Sequence, residues 1–405
     1  MGDVAFATPE AIPARWRDPM HPPAWAKRLV GYCRTKLQPG HPFMDVLQKA
    51  LLEGDPLADD LVACMDELPA GEGRRMFELA LEHGIDAVPG SPKALARFFA
   101  HLDRVPAWVE PETLRYACET IQRVGIANGY ALACGSLMSG YLSSAAVKPL
   151  MTTGALTSNT SRRIAETGKF VLDITESGDM GRYTAGFKTT VRVRLLHAFV
   201  RAKLGRSPEW KTHEWGLPVN QSDLLGTNLQ FSTTYLLSLR VLGILHSRRE
   251  REAIMHFWRY VGYVMGVDEK LLPRNYREGK RYLRLLGASQ PDPDEDSRAL
   301  ASALVYFPLA YGTTPFERRA TAILCALRGG LSRSIMGDVA ADALGLPDDR
   351  WKYAVFAISP AISTMEIARR LVPGGRRVAV RVGRRILRSQ ITRGLALTQA
   401  SRIHV

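Results

Sequence analysis

The stretch Thr189–Lys203, TTVRVRLLHAFVRAK, decides the fold class. Val193, His197 and Val200 fall at i, i+4 and i+7, one face of an α-helix, and no turn residue interrupts the run. Arg194 and Arg201, three residues before His197 and four after it, lie on the same side. This spacing has two readings. One is a helix with a solvated basic face and a single buried histidine. The other is an imidazole between two guanidinium groups, holding a metal whose own ligand carries carboxylates.

The same period extends outward along the chain. Ala94–Leu102, Thr113–Val124, Tyr235–Ile244, Arg249–Gly266, Thr321–Ile335 and Met365–Leu371 all place apolar residues three and four apart. Strict alternation is confined to Val378–Val382, a length that suits a helix equally well. The expected class is therefore all-α, one large helical domain over residues 1–373 followed by a C-terminal tail, 374–405. Loops are marked at Val88–Pro92, at Gly287–Ser297 with a helix N-cap at Asp296 or Ser297, and at Pro373–Gly375. Val124–Val147 carries no charge and is long enough to span a bilayer. Its Gly, Ser and Asn content argues instead for a buried central helix.

With 46% hydrophobic and 23% charged residues in 405, the chain can fill a core, which excludes intrinsic disorder. The net charge of +14 is concentrated at one end: residues 369–405 hold ten arginines and no acid. Arg377, Arg381, Arg384, Arg385 and Arg388 recur at helical spacing beside Val378, Val382 and Ile386. That pattern fits an amphipathic segment lying on an anionic membrane surface, or equally a solubilising or oligomer-contact tail. No nucleic-acid partner is expected, because the tail lacks aromatics and no recognition motif is present. Five cysteines without Cys-x-x-Cys spacing argue against a disulfide framework and a cysteine zinc site. The N-terminus shows no basic region followed by an apolar run, so the expected location is cytoplasmic, with peripheral membrane contact through the tail.

Familiar nucleophile and nucleotide motifs are absent, and His246 and His256, ten residues apart, make a poor zinc pair. A haem meets the requirement set by His197, offering iron to the imidazole and propionates to Arg194 and Arg201. A second group precedes it. On a helix running from Arg162 to about Ile174, N-capped within Ser158–Ser161, residues Arg163, Glu166, Thr167 and Phe170 share one face. This stripe could line a polar spot in an apolar pocket, or Arg163–Glu166 could be an ordinary surface ion pair. Trp215–Phe231 sets Asn220, Gln221, Asp223, Thr227 and Asn228 among apolar residues, as expected where a helix start is stitched to a neighbour.

Taken in order and at their spacing, five segments resemble the latex-clearing protein (rubber oxygenase) family and related oxygenases of terpenoid chains. They are VPAWVE (Val105–Glu110), Arg163-x-x-x-Thr167, VRVRLLHAFVR (Val191–Arg201), GLPVNQSDLLGT (Gly216–Thr227) and FWRYVGYVMGVDEKLLP (Phe257–Pro273). The resemblance covers about residues 98–272. It implies a globin-like helical core and a noncovalent b-type haem with His197 as the iron ligand. It also implies a haem-dependent dioxygenase that cleaves C=C bonds of a hydrophobic unsaturated substrate with O2. Arg163 and Thr167 would then orient oxygen, and Glu166 would be the proton-transfer candidate. The chain departs from rubber-cleaving members in one respect: Glu166 stands where they carry lysine, and Val147 where they carry an upstream acid. A non-enzymatic membrane- or partner-docking protein, and a haem protein with a peroxidase-like or sensing role, are the alternatives.

Overall fold

The computed structural model describes residues 11–27, 41–152, 160–311 and 313–400, and among these there are helices, turns and no strands. The all-α expectation is met. The first helices are α1 (Phe43–Ala50), α2 (Pro56–Glu67), α3 (Glu72–His83), α4 (Lys93–Asp103) and α5 (Pro111–Gln122). Each is amphipathic. α4 buries Leu95, Phe98, Phe99 and Leu102 at helical spacing; Phe98 and Phe99 meet each other edge-on, and each is tilted against Phe77 of α3.

The uncharged segment forms no single long helix. It divides into α6, residues 126–140, a turn, and α7 (Ser144–Thr152). No helix among the described residues is long and apolar enough to cross a membrane. Ala131–Leu137 within α6 is π-helical, and so is Gln230–Thr234 within α10, residues 221–241. The two widened turns meet: Ser136 Oγ donates to the Gln230 carbonyl at 2.7 Å. Between them in sequence lie α8 (Thr160–Glu176) and α9 (Ala185–Gly205). α8 is longer than expected at both ends, and part of its expected N-cap segment, Ser158–Ser161, lies outside the described residues.

α11 (Arg248–Val264) opens with a capping box between Ser247 and Glu250 and buries its aromatic face against α5. His246 precedes it, so the two histidines do not share a helix; His256 Nε2 accepts the Glu110 amide. α12 (Tyr276–Ala288), α13 (Glu295–Tyr306), α14 (Pro315–Met336), α15 (Ala354–Leu371) and α16 (Gly375–Ala400) complete the chain. The N-cap of α13 is Asp294, two residues before the earlier of the expected positions, because its carboxylate accepts the Ser297 amide at 3.0 Å.

The basic tail is folded against the body as α16. Gly383 is the contact point, since a Cβ there would overlap the Gln122 carbonyl oxygen of α5. Arg376 pairs with Glu119, Arg384 donates to Gln122 Oε1, and Arg388 pairs with Glu176.

Buried ion pairs fix how α9 is rotated. Arg194, 2% exposed, donates to both Asp55 oxygens at 2.6 and 2.8 Å and lies over the Phe98 ring. Gly266, at φ +86°, leaves room for this pair: a Cβ there would run into Asp55 and the Arg194 guanidinium. Arg201 pairs with Asp59 at 2.7 Å and donates to the Val219 carbonyl.

Three outcomes follow from this packing. Asp55→Ala leaves the Arg194 charge buried and unpaired, so it should lower unfolding free energy by about 3–5 kcal/mol in urea titration. Asp55→Leu with Arg194→Met should recover much of that loss. Gly383→Leu should lift α16 off α5, read as amide exchange gained across 375–394 without loss of the other helices. His101, beside Arg194 and against Tyr263, has its pKa pushed down to about 4, first by burial and then by the Arg194 cation. It folds neutral, so its contribution is complete above the ordinary histidine value of about 6.5 and is lost as pH falls toward 4. His101→Phe should therefore flatten the stability slope in that window by up to about 1.4 kcal/mol per pH unit.

Candidate functional site

With Arg194 and Arg201 turned toward α2, the neighbouring edge of α9 carries Val193, Leu196 and His197 into a cavity of about 650 Å³. The cavity lies among α6 to α12. Gly135, Ala133 and Ser136 of the α6 π-turn, Val147 of α7 and Gly262 of α11 are among the residues that line it. Phe231 and Trp258 stack at 4.7 Å with 20° between their planes, and Phe170 meets Phe231 edge-on at 6.3 Å, so one wall is aromatic.

His197 reaches this space as a neutral ring. Its pKa is pushed down to about 4, first by burial and then by the Arg201 cation, with Asp55 opposing. Nδ1 is buried and has no hydrogen-bond partner among the described residues, which leaves Nε2 as the nitrogen with access to the cavity. A neutral imidazole presenting a free lone pair is a competent metal ligand. The described residues contain no group of three or more His, Cys, Asp or Glu that could hold a metal ion. A metal at His197 would therefore need most of its ligands from a macrocycle, and a lone histidine facing a cavity lined by aromatic side chains and glycines fits a haem.

The α8 stripe lines the same cavity. Arg163, Glu166, Thr167 and Phe170 all line it, as do Ile164 and Gly168. The expected Arg163–Glu166 pair does not form. Glu166 bonds Arg162 at 2.7 Å, one turn back, where both side chains reach solvent at the rim. Arg163 is turned inward and makes no hydrogen bond among the described residues; burial pulls its pKa down, with Tyr141 and Glu166 opposing. It is the one arginine on the wall among the described residues, and its donors are free for an anion or a polar oxygen. Arg194 and Arg201, expected as propionate contacts or surface charges, are neither: both are buried on protein carboxylates and neither lines the cavity.

Other contributors were less legible. Asp223 lines the cavity with its charge bound by Arg15 at 2.7 Å, and Arg15 also bonds Gln290 and Ser143. Asn228 Nδ2 donates to the Trp258 carbonyl, and Gln221 bonds Gly54, Gly266 and Asp268. This is the stitching expected of Trp215–Phe231. Its polar density gave the signal for those bonds, but nothing in it marked Phe231 as Trp258's stacking partner. Trp25, from the N-terminal segment, closes another part of the wall.

Residues 122–363 match the profile of the family described as ER-bound oxygenase mpaB/B'/Rubber oxygenase, catalytic domain. A rubber oxygenase of Streptomyces sp. (strain K30) is 26% identical over 271 residues, 64% of this chain and 62% of that protein, so the chain spans somewhat under two thirds of that relative's length. The structure of latex clearing protein LCP in the closed state superposes with a TM-score of 0.57 at 19% identity, over 84% of this chain and 91% of that one, and it shares the fold. The profile takes in more than half of the sequence, including both His197 and the α8 stripe, and the chain belongs to the mpaB/B'/rubber oxygenase catalytic-domain family.

Proposed function

We propose that the chain is a haem-dependent oxygenase that cleaves a C=C bond of a hydrophobic, isoprenoid- or terpenoid-like substrate with O2. Its b-type haem would be held noncovalently through His197 in a globin-like manner. The observation that carries this reading is the neutral His197 ring facing a largely apolar cavity whose wall also carries an unpaired arginine. The oxygenases among its relatives support it.

When bound, the haem supplies an iron at which dioxygen is activated. The chain's own residues do the remaining work. His197 would hold the iron through Nε2, and burial keeps the ring neutral, the form that can ligate a metal. Arg163 can donate to a carboxylate of the macrocycle or to an oxygen atom in the cavity. Thr167, one turn further along α8, offers a hydroxyl on the same wall. Glu166 sits at the rim with Arg162 and can pass a proton between solvent and the cavity. Phe170, Phe231 and Trp258 would exclude water and give an unsaturated chain an apolar aromatic wall. Since Glu166 and Val147 replace the cation and the acid of rubber-cleaving members, we put a discrete unsaturated isoprenoid ahead of polyisoprene as substrate.

Purified protein supplied with haem should show a Soret band that shifts on dithionite reduction, and His197→Ala should lose it. Arg163→Leu should keep the band while carbonyl products from an unsaturated terpenoid fall about a hundredfold or more under air. The reading fails if haem leaves no Soret band in the wild type, or if His197→Ala binds haem unchanged.

A further inference from the structure

The arginines of the C-terminal region divide into two sets. Arg369, Arg370, Arg376, Arg384 and Arg388 are bound to protein groups: Glu366, the Leu245 carbonyl, Glu119, Gln122 and Glu176. Arg377, Arg381, Arg385 and Arg393 are exposed and have no partner among the described residues. Because Gly383 and Leu387 are pressed against the body, the opposite face of α16 is turned outward. That face carries Arg377, Arg381 and Arg385 at four-residue intervals, with Val378, 57% exposed, and Val382, 48% exposed, between them. Leu371 and Val372, at the corner joining α15 to α16, are 78% and 60% exposed. From residue 367 onward there is no acid to neutralise this face.

We infer that the outward face of α16 docks on an anionic lipid bilayer. Unpaired guanidinium groups would meet lipid phosphates and carboxylates, while the valines and the Leu371–Val372 corner enter the headgroup boundary. A bilayer suits the face better than a nucleic acid does, because its exposed side chains are aliphatic and α16 has no aromatic residue to stack on bases. The docked helix also leans on the site. Ile391 lies 3.4 Å from where a Cβ on Gly168 would be, and the Gly394 position meets Ala165 of the same helix, α8, whose other side lines the cavity. A lipophilic substrate dissolved in the bilayer would then be held close to the cavity rim. That last consequence rests on the proposed function, whereas the docking itself does not.

The test is co-sedimentation of the full chain with phosphatidylcholine vesicles, with and without a third of phosphatidylserine. Wild type should bind only the serine-containing vesicles and dissociate as salt rises. Arg377→Gln/Arg381→Gln/Arg385→Gln should weaken binding about a hundredfold, from about 1 kcal/mol per basic residue. Val378→Ser/Val382→Ser should weaken it severalfold at any salt. All the altered side chains are exposed, so circular dichroism should be unchanged. Absence of binding to anionic vesicles, full binding by the triple variant, or a dimer in solution that the triple variant breaks would each overturn the inference. A normal Soret band in the triple variant separates failure of docking from failure of the haem reading.

Discussion

The ion pair between Arg194 and Asp55 sets the orientation on which the site depends. Two charges withdrawn from water are tolerated because each oxygen of the carboxylate receives its own guanidinium hydrogen bond and the guanidinium plane rests on Phe98. Seven residues on, Arg201 repeats the arrangement with Asp59 on the same helix, α2. Two such anchors, about two turns apart, leave α9 no freedom to roll. The edge beside them, bearing Val193, Leu196 and His197, is thereby committed to the cavity. The arginines hold the histidine in place through helix geometry, and Arg201 adds an electrostatic bias toward the neutral ring.

The cavity is maintained by a different device. Interiors ordinarily fill to crystal-like density, so a space of about 650 Å³ needs walls that cannot collapse. Here two π-helical turns face each other, tied by Ser136 to the Gln230 carbonyl, and each widens its helix where the cavity begins. Glycines at 135 and 140 let the helix backbones approach Ser238 and Gln230 closely on one side while the other side stays open. The charge-free composition of the segment around α6 is thus a requirement of close packing beside a hollow, and bilayer length has no part in it.

Much of this was legible in the sequence. The three- and four-residue apolar period in Ala94–Leu102 or Arg249–Gly266 allows no class but helical, since it is a local property of the chain. His197 and the Arg163–Thr167 stripe stood out for the same reason: their spacing places them on faces of two helices, and the order of the motifs resembles one family. The tail's arginines and their freedom from acids could be counted directly.

Tertiary structure decided the partners. Spacing puts Arg194, His197 and Arg201 on roughly one side of a helix, but it cannot say that Asp55 and Asp59, more than a hundred residues away, claim the arginines and leave the histidine alone. It cannot choose between Arg162 and Arg163 as the partner of Glu166; rim and interior exist only once α8 is set against the cavity. It shows an amphipathic arginine helix in the tail, yet only the contact of Gly383 with Gln122 decides which face is buried and which is free. Helices follow from interactions a few residues apart. A site forms where distant segments compete for the same charges, and that competition is resolved only when the chain is folded.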